Sequence, residues 1–216
     1  RNAHIIISVW PSFGKNTSVH NELKEKQMLL DFKTYPDEAT VYDVYNPAAR
    51  RIYWDRMNRN MFAIGMDGWW LDATEPEFSD NDEKLNQRTH DGQYREVFNA
   101  FPILSVGGVH DNQRAATGDK RVFILTRSAF AGQQRYGAAS WSGDIRSDWN
   151  VLHNQISAGL NFSLCGIPYW NTDIGGFASC NYFPEGINDP AFRELYVRWS
   201  QFGAFTPMMR SHGTCT

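Results

Sequence analysis

Hydrophobic runs alternate with amphipathic stretches along this chain, and the alternation predicts strands separated by helices. Residues 4–10 form an Ile-rich run that Pro11 stops, which is typical of a buried strand. Asn46-Pro47 then begins a stretch whose hydrophobic residues recur at helical spacing until Gly65. A second buried strand follows, from Gly68 to about Asp72. Strand, helix and strand in this order predict the βαβ unit of a parallel sheet.

The same alternation continues to the end of the chain. Between the first strand and the helix that starts at Asn46-Pro47, residues 12–46 are predicted to form a polar excursion from this pattern, with one short helix at about 21–30. Beyond them we predict strands at 120–127, 138–141 and 166–170, and helices at 94–106 (interrupted by Pro102 and Gly107-Gly108), 148–164 and 190–202. About six strands separated by helices favour a (β/α) barrel or an open doubly wound sheet.

Reactive side chains at the strand ends favour the barrel. In a barrel these ends meet at one mouth, whereas in an open sheet they lie along an edge. No Gly-x-Gly-x-x-Gly motif follows a strand, so a dinucleotide crevice is not predicted. The strand-end residues are Trp10, Asp72, Arg127, Asp144, Asp173, Arg210 and His212. We therefore predict an α/β fold of the (β/α)8 TIM-barrel type.

The number of strands limits how much of the barrel is present. Six strands cannot close an eight-stranded barrel, and a complete one needs about 250 residues. We expect residues 1–216 to form one partial catalytic barrel domain, about strands 3 to 8, of a longer enzyme.

Composition and charge narrow the class of ligand. A net charge of −3 provides no basic stripe for nucleic acid, and no apolar run reaches the roughly 18 residues of a membrane span. None of the three cysteines lies beside a histidine at metal-ligand spacing, so we predict no metal site. Aromatic residues make up 14% of the chain and include eight Trp. This excess suits a pocket that stacks on sugar rings, although an aromatic core would also use it.

Two carboxylates on different strand ends, among aromatic side chains, are the minimum equipment for cleaving a glycosidic bond. Asp72 suits the group that attacks the anomeric carbon, because Arg127 and His212 could lie close enough to keep it ionised. Glu75 and Glu77 are alternative nucleophiles, and the chemistry favours Asp72 over both.

Asp144 suits the second carboxylate role, that of a general acid. It ends the sequence Trp-Ser-Gly-Asp, which places a carboxyl group on a tight turn beside an aromatic face. Desolvation in that setting would raise its pKa and keep its proton available for the departing oxygen.

Four motifs in order resemble the catalytic barrel of the family 31 glycoside hydrolases. They are Trp-Trp-Leu-Asp-Ala-Thr-Glu-Pro-Glu at 69–77, Trp-Ser-Gly-Asp at 141–144, Asp-Ile-Gly-Gly-Phe at 173–177 and Arg-Ser-His at 210–212. The resemblance implies a retaining enzyme that acts on α-glycosides without a metal or cofactor. It also implies that Asp72 is the nucleophile and Asp144 the acid/base. Arg127 and His212 would bind sugar hydroxyls in the −1 subsite, and the residues expected to line the pocket are Trp10, Trp70, Trp141, Asp173 and Phe177.

Within the family, the paired tryptophans and the continuation after Asp72 resemble the bacterial α-xylosidase branch. The resemblance therefore implies release of non-reducing α-xylosyl residues, as from xyloglucan oligosaccharides. An α-glucosidase, a transglycosylase and an inactive carbohydrate-binding relative remain alternatives. The expected partners are an α-glycoside substrate and the remaining domains of the same enzyme. The sequence leaves open the oligomeric state and whether the bacterial location is secreted, periplasmic or cytoplasmic.

Overall fold

A computed structural model describes residues 3–32, 34, 36, 38–75 and 85–214. The chain divides into two compact units, residues 1–138 and residues 139–216, and each is described by itself. Each unit contains parallel strands accompanied by helices, which confirms the predicted α/β class.

The first unit contains the longer part of the strand and helix alternation. Its described strands are β1 (Ile6–Val9), β2 (Ser12–Gly14), β3 (Leu29–Leu30), β4 (Ala39–Tyr42), β5 (Gly68–Leu71), β6 (Arg88–Thr89), β7 (Gly92–Gln93) and β8 (Ile124–Thr126). Its described helices are α1 (Ser18–Glu25), α2 (Pro47–Asn60), α3 (Tyr94–Val97) and α4 (Phe101–Ala116), with 3-10 turns at Phe62–Ile64, Phe98–Ala100 and Gln133–Tyr136.

Strands β1, β5 and β8 are parallel neighbours in that order, and their register sets the position of the residues that follow them. Val9 pairs with Leu71, and Leu71 pairs with Thr126. The row continues one residue further, because the Asp72 amide donates to the Val9 carbonyl (3.1 Å) and the Arg127 amide donates to the Leu71 carbonyl (3.3 Å). The predicted strand ends therefore lie side by side at the carboxyl edge of this sheet.

The core beneath this edge is built around Trp69 of β5, which is fully buried. Its indole N–H donates to Gln113 Oε1 at 2.8 Å, and its ring meets the Trp54 ring edge-on at 5.8 Å between centroids. Replacing such a side chain by alanine costs about 3–5 kcal/mol. Because side chains alternate along a strand, Trp70 faces the opposite side of the sheet from Trp69.

Helix α2 begins as predicted: Asn46 caps it by accepting from the Ala48 amide at 2.9 Å. The chain then turns into β5 through Gly65, whose φ of 111° lies in the left-handed region that glycine tolerates.

The predicted interruption at Gly107-Gly108 is wrong, because α4 runs through both residues to Ala116. A Cβ atom at Gly107 would lie 2.6 Å from the Tyr136 hydroxyl, and one at Gly108 would lie 2.7 Å from Arg50 Cδ. The glycines therefore permit close packing of α4 against its neighbours and do not end the helix. Pro102 lies in the first turn of α4, where its missing N–H has no helical partner to lose.

The excursion between β1 and α2 is more ordered than the sequence predicted. Strands β2, β4 and β3 form a small antiparallel sheet in that order. The short helix exists, but it covers Ser18–Glu25 and not 21–30, because Thr17 caps its start and Leu29–Leu30 pair with β4. The two ends of the excursion meet, since the Tyr42 amide donates to the Pro11 carbonyl at 3.0 Å.

The second unit contains two parallel strands, β9 (Ala139–Trp141) and β10 (Trp170–Asn171), and the helices α5 (Trp149–Leu164) and α6 (Pro190–Gly203). Short 3-10 turns lie at Ser179–Asn181 and Gly186–Asn188. Asp148 caps α5 as predicted, by accepting from the Val151 amide at 2.8 Å. The strand predicted at 166–170 forms later, because Gly166 has a φ of 78° and the Ile167 amide still closes α5 by donating to Phe162.

Helix α5 carries the hydrophobic stripe by which it was predicted, but the stripe is not part of the core of this unit. Ile156, Leu160 and Leu164 are exposed, the last of them to 85%. The buried cluster lies elsewhere and consists of Leu152, Ile174, Leu195 and Trp199.

Candidate active site

The carboxyl edge of the first unit's sheet brings three predicted site residues into one row. Trp10, Asp72 and Arg127 each follow directly after the last residue of β1, β5 and β8. All three are half-buried. Because parallel strands in register end together, the sequence prediction that these residues share one edge is correct within this unit.

Asp72 is held in a defined position by its immediate surroundings. Its Oδ1 accepts from the Ala73 amide at 2.8 Å and lies 3.4 Å from Arg127 Nη1. Only 14% of the side chain is exposed, and the positive charge of Arg127 beside it offsets part of the cost of burying a negative charge. Ala73 has a φ of 52°, a left-handed conformation that costs a non-glycine residue about 1 kcal/mol. The chain thus turns sharply directly after Asp72.

Arg127 also contacts Glu75, the alternative nucleophile. Its Nε donates to Glu75 Oε1, so one guanidinium group joins two carboxylates. Burial raises the pKa of Glu75, and the neighbouring Arg127 opposes this rise. The Thr74 hydroxyl lies 2.7 Å from the hydroxyls of both Thr126 and Ser128, which ties the loop after β5 to the end of β8. Glu77, the other alternative, lies outside the described residues.

In the second unit, Arg210 joins two of the predicted pocket residues. Its Nη2 lies 3.4 Å from Asp173 Oδ1, and its guanidinium carbon lies 4.9 Å from the centroid of the Trp141 ring. Asp173 is fully buried, and the Arg210 side chain is 14% exposed. A buried carboxylate requires such a partner, because an isolated charge in this setting is strongly destabilised.

His212 lies beside the other end of the same loop. Its ring centre is 5.4 Å from that of Phe177, with 32° between the ring planes. Burial lowers the pKa of His212, the positive charge of Arg210 lowers it further, and the negative charge of Asp144 opposes both effects. The imidazole is therefore biased towards its neutral form, which can both donate and accept a hydrogen bond.

Asp144 does not have the environment that the sequence predicted. It is exposed in the second unit, whereas the sequence predicts desolvation beside the Trp141 face. Trp141 itself is buried, and the guanidinium group of Arg210 packs on its ring. The tight turn was predicted correctly, because Gly143 has a φ of 77° and the Ile145 amide donates to the Gly143 carbonyl at 2.9 Å.

The Asp-Ile-Gly-Gly-Phe motif folds back through two glycines in the left-handed region, Gly175 at 88° and Gly176 at 82°. A Cβ atom at Gly176 would lie 2.5 Å from Ser147 Oγ, so the turn also has no room for a side chain. The chain at 210–214 then runs parallel to this loop, with bridges between Asp173 and Arg210 and between Ala178 and Thr214. Within the second unit, Arg210 thus lies beside both Asp173 and Trp141, and His212 lies beside Phe177.

Sequence reasoning placed Arg210 at a strand end without giving it a role. Its partner Asp173 lies 37 positions earlier, and only the bridge between the two segments reveals the pairing. In the part of the chain that the structure describes, no cluster of three metal-binding side chains occurs and no helix is long and apolar enough to cross a membrane.

Strand-end carboxylates paired with arginines, beside aromatic rings, are arranged as in the α/β proteins that carry their sites at the carboxyl ends of parallel strands. The comparisons with known proteins then specify the family. The family model described as the glycosyl hydrolases family 31 TIM-barrel domain matches residues 1–216. The chain belongs to this family, and it is part of a TIM-barrel domain.

The most informative relatives are α-xylosidases. The chain is 42% identical to an α-xylosidase of Saccharolobus solfataricus over 98% of its own length and 28% of that protein. It matches the crystal structure of an α-xylosidase from Xanthomonas citri with a TM-score of 0.88 and 40% identity, over 99% of this chain and 25% of that one. A dextranase of Flavobacterium johnsoniae matches with a TM-score of 0.83 and 30% identity, over 97% and 27%. The chain thus spans about a quarter of the length of these relatives.

Proposed function

We propose that the protein containing this chain is a retaining α-glycoside hydrolase, and specifically an α-xylosidase that releases non-reducing α-xylosyl residues from oligosaccharides such as those of xyloglucan. The observation that carries the proposal is the strand-end row of the first unit, in which Arg127 accompanies Asp72 at the carboxyl edge of a family 31 barrel sheet. The 40–42% identity to α-xylosidases supports the choice of sugar. We also propose that residues 1–216 act as one catalytic domain.

In the first half of the reaction, the Asp72 carboxylate attacks the anomeric carbon. The bond from this carbon to the leaving oxygen breaks, and Asp144 gives its proton to that oxygen. The product is a sugar joined to Asp72 through a β-linked ester. Arg127 assists because its positive charge keeps Asp72 ionised before the attack.

In the second half, Asp144 takes a proton from water, and the water oxygen attacks the anomeric carbon from the opposite face to Asp72. The ester bond breaks and returns the carboxylate, so the released sugar keeps the α configuration. We assign hydroxyl binding in the −1 subsite to Arg127 and His212, and we assign Asp173 to the lining of the pocket. Trp10, Trp70, Trp141 and Phe177 supply apolar surface for the sugar ring. No step requires a metal or cofactor.

The test uses the full-length enzyme with 4-nitrophenyl α-xyloside, α-glucoside and α-galactoside. We expect the highest kcat/KM on the α-xyloside and an α-configured first product by NMR. Asp72→Ala should lower the rate by about 10,000-fold or more. With azide and a good leaving group, it should give the β-glycosyl azide, because azide then enters from the face of the missing carboxylate.

Asp144→Ala provides the matched variant. It should slow activated aryl glycosides mainly in deglycosylation, and azide should then give the α-glycosyl azide, because attack on the β-linked intermediate comes from the other face. An Asp72→Ala enzyme with a near-normal rate would contradict the assignment.

A second candidate is hydrolysis or transfer of α-glucosyl units, which the 30% identity to a dextranase favours. The substrate panel separates the two sugars directly. Product analysis at high acceptor concentration separates transfer from hydrolysis, because the residues described do not determine whether water or a sugar hydroxyl attacks the intermediate.

A further inference from the structure

The turn that follows Asp72 has an unfavourable backbone conformation. Ala73 has a φ of 52°, in the left-handed region that a residue with a Cβ atom rarely adopts. Its amide donates to Asp72 Oδ1 at 2.8 Å, so the direction of the carboxylate depends on this turn. Such a conformation persists only where the surrounding contacts maintain it. The contacts that maintain the Ala73 turn therefore also determine how Asp72 is oriented.

The side chain of Thr74 supplies such contacts. Its hydroxyl lies 2.7 Å from the Thr126 hydroxyl and 2.7 Å from the Ser128 hydroxyl, and only 2% of the residue is exposed. A hydroxyl group has one donor and two acceptor positions, so both hydrogen bonds can form at once. Thr126 and Ser128 are the residues on either side of Arg127. Thr74 thus joins the turn to both neighbours of the arginine that lies beside Asp72.

Both partners of Thr74 are themselves fixed. Thr126 is the last residue of β8, pairs with Leu71 in the register of the sheet and is fully buried. The Ser128 carbonyl accepts from the side-chain amide of Gln133 at 3.0 Å, and Gln133 is also fully buried. The Thr74 hydroxyl is therefore attached to a rigid part of the first unit, which allows it to hold the turn in place.

We propose that Thr74 is a positioning residue, whose hydroxyl holds the Ala73 turn so that the Ala73 amide fixes the Asp72 carboxylate in the orientation for attack. The inference rests on the proposed function, because it takes Asp72 as the nucleophile. It goes further by assigning a role to a buried residue that is not itself assigned to touch the sugar. Without the hydroxyl the turn can relax to an ordinary backbone conformation, and the Ala73 amide then moves away from Asp72.

The competing explanation is that Thr74 only stabilises the loop after β5. A purely structural contact would lower the stability of the fold and leave the rate of the folded enzyme unchanged. A positioning contact lowers the rate of attack by Asp72 and leaves the binding of the sugar intact. The two explanations therefore differ in whether catalysis and binding are affected separately.

The experiment uses the full-length enzyme and compares Thr74→Val and Thr74→Ser with Thr89→Val as the control. Valine removes the hydroxyl and keeps the branched shape, whereas serine keeps the hydroxyl. Thr89 is a matched residue because it is 4% exposed, and its hydroxyl donates to the Gly92 carbonyl at 3.0 Å and accepts from the Asp91 amide at 3.3 Å. Each enzyme is assayed for kcat/KM on the best 4-nitrophenyl α-glycoside, for inhibition by the corresponding free sugar, and for its urea midpoint.

We expect Thr74→Val to lower kcat/KM about 100-fold, while the inhibition constant of the free sugar changes by less than about 2-fold. Thr74→Ser should stay within about 5-fold of the wild-type kcat/KM, because its hydroxyl can make the same two hydrogen bonds. Thr89→Val should keep the wild-type kcat/KM, although both valine variants should lower the urea midpoint through the loss of buried hydrogen bonds.

A second comparison tests whether Thr74 acts through the turn. Ala73→Gly removes the Cβ atom, so the left-handed conformation no longer carries its backbone cost. In an enzyme with Ala73→Gly, the further change Thr74→Val should lower kcat/KM by less than about 10-fold, because the turn has less tendency to leave its conformation. An undiminished loss in this background would contradict the proposed route from Thr74 to Asp72.

Equal kcat/KM values for Thr74→Val and Thr89→Val would overturn the inference and leave Thr74 as a structural contact. If Thr74→Val does not fold, Thr126→Val decides, because it removes one of the two partners and should lower kcat/KM about 10-fold. A wild-type value for that variant would again overturn the inference. If Asp72→Ala abolishes turnover, the proposed function stands and only this inference is at stake. An Asp72→Ala enzyme with a near-normal rate overturns both.

Discussion

Each of the two units places an arginine beside a carboxylate at its strand ends, but the two pairs are built differently. In the first unit Arg127 contacts both Asp72 and Glu75, and 43% of the Glu75 side chain is exposed. In the second unit Arg210 contacts Asp173, which is fully buried, and stacks on Trp141. The same two functional groups thus occur once at an accessible edge and once in a closed setting.

The difference corresponds to what each carboxylate is proposed to do. A nucleophile must stay ionised and must also reach a substrate atom, so its arginine has to leave it partly accessible. The Asp173 carboxylate is fully buried, so its pairing with Arg210 fixes the two chain segments that carry these residues. Burial has a cost, however: a buried pair cannot lose one partner without a large penalty.

The largest expected effect tests this cost directly. Asp173→Ala should lower the free energy of unfolding by about 3–5 kcal/mol, because it leaves the Arg210 charge in a largely buried site. Glu75→Ala should lower it by only about 1 kcal/mol, because 43% of the Glu75 side chain is exposed and Arg127 keeps Asp72 as a second partner. Urea unfolding of the full-length protein measures both values, with Glu194→Ala as an exposed control. Equal losses for Asp173→Ala and Glu75→Ala would remove the distinction between the two pairs.

A smaller effect concerns the role of Glu75. Glu75→Gln keeps an oxygen that accepts from Arg127 but removes the charge, so the guanidinium group should remain near Asp72 with weaker orientation. We expect kcat/KM to fall about 10-fold, which corresponds to about 1.4 kcal/mol. A mechanism-based label should still attach to Asp72 when the peptide is sequenced by mass spectrometry. A loss as complete as that of Asp72→Ala would instead make Glu75 the nucleophile.

The smallest effect concerns the ion pair between Lys120 and Asp67, the residue directly before β5. The pKa of Asp67 is lowered by its hydrogen bond to Lys120, by the Ile5 amide and by His4. Because the folded pKa lies below the unfolded value of about 3.9, ionised Asp67 stabilises the fold above that pH, and the stabilisation is lost as the pH falls. Asp67→Asn should therefore lower the urea midpoint at pH 7, and its curve should begin to approach that of the wild type as the pH falls below about 3.9.

Asp119→Asn changes an exposed neighbour of Lys120 and serves as the control for this series. Parallel curves for wild type and Asp67→Asn over the whole pH range would show that the carboxylate contributes nothing that depends on its charge.

The strand ends could be predicted from the sequence because each follows a local signal. The run at 4–10 stops at Pro11, and the strand before Asp72 is entirely apolar, so Trp10 and Asp72 were placed correctly. The excursion strands could not be predicted in the same way. Strands β2 and β3 have three and two residues, which is too short for a period-2 pattern to develop.

The features that the sequence missed depend on contacts between distant segments. Gly107 and Gly108 look like helix breakers until Tyr136 and Arg50 are seen beside them. The pairing of Arg210 with Asp173 is hidden for the same reason, since the spacing of these two residues carries no local period. The exposure of Asp144 likewise depends on what surrounds the turn, whereas the turn itself followed from Gly143.

The hydrogen bond between the Tyr42 amide and the Pro11 carbonyl has a consequence for engineering. It closes the excursion at its base, and the segment in between also contacts α2 through the ion pair of Glu22 with Arg56 and the packing of the Phe13 ring on the Tyr53 ring. Any loop grafted between these two residues therefore has to keep the contacts with α2 as well as the closing hydrogen bond.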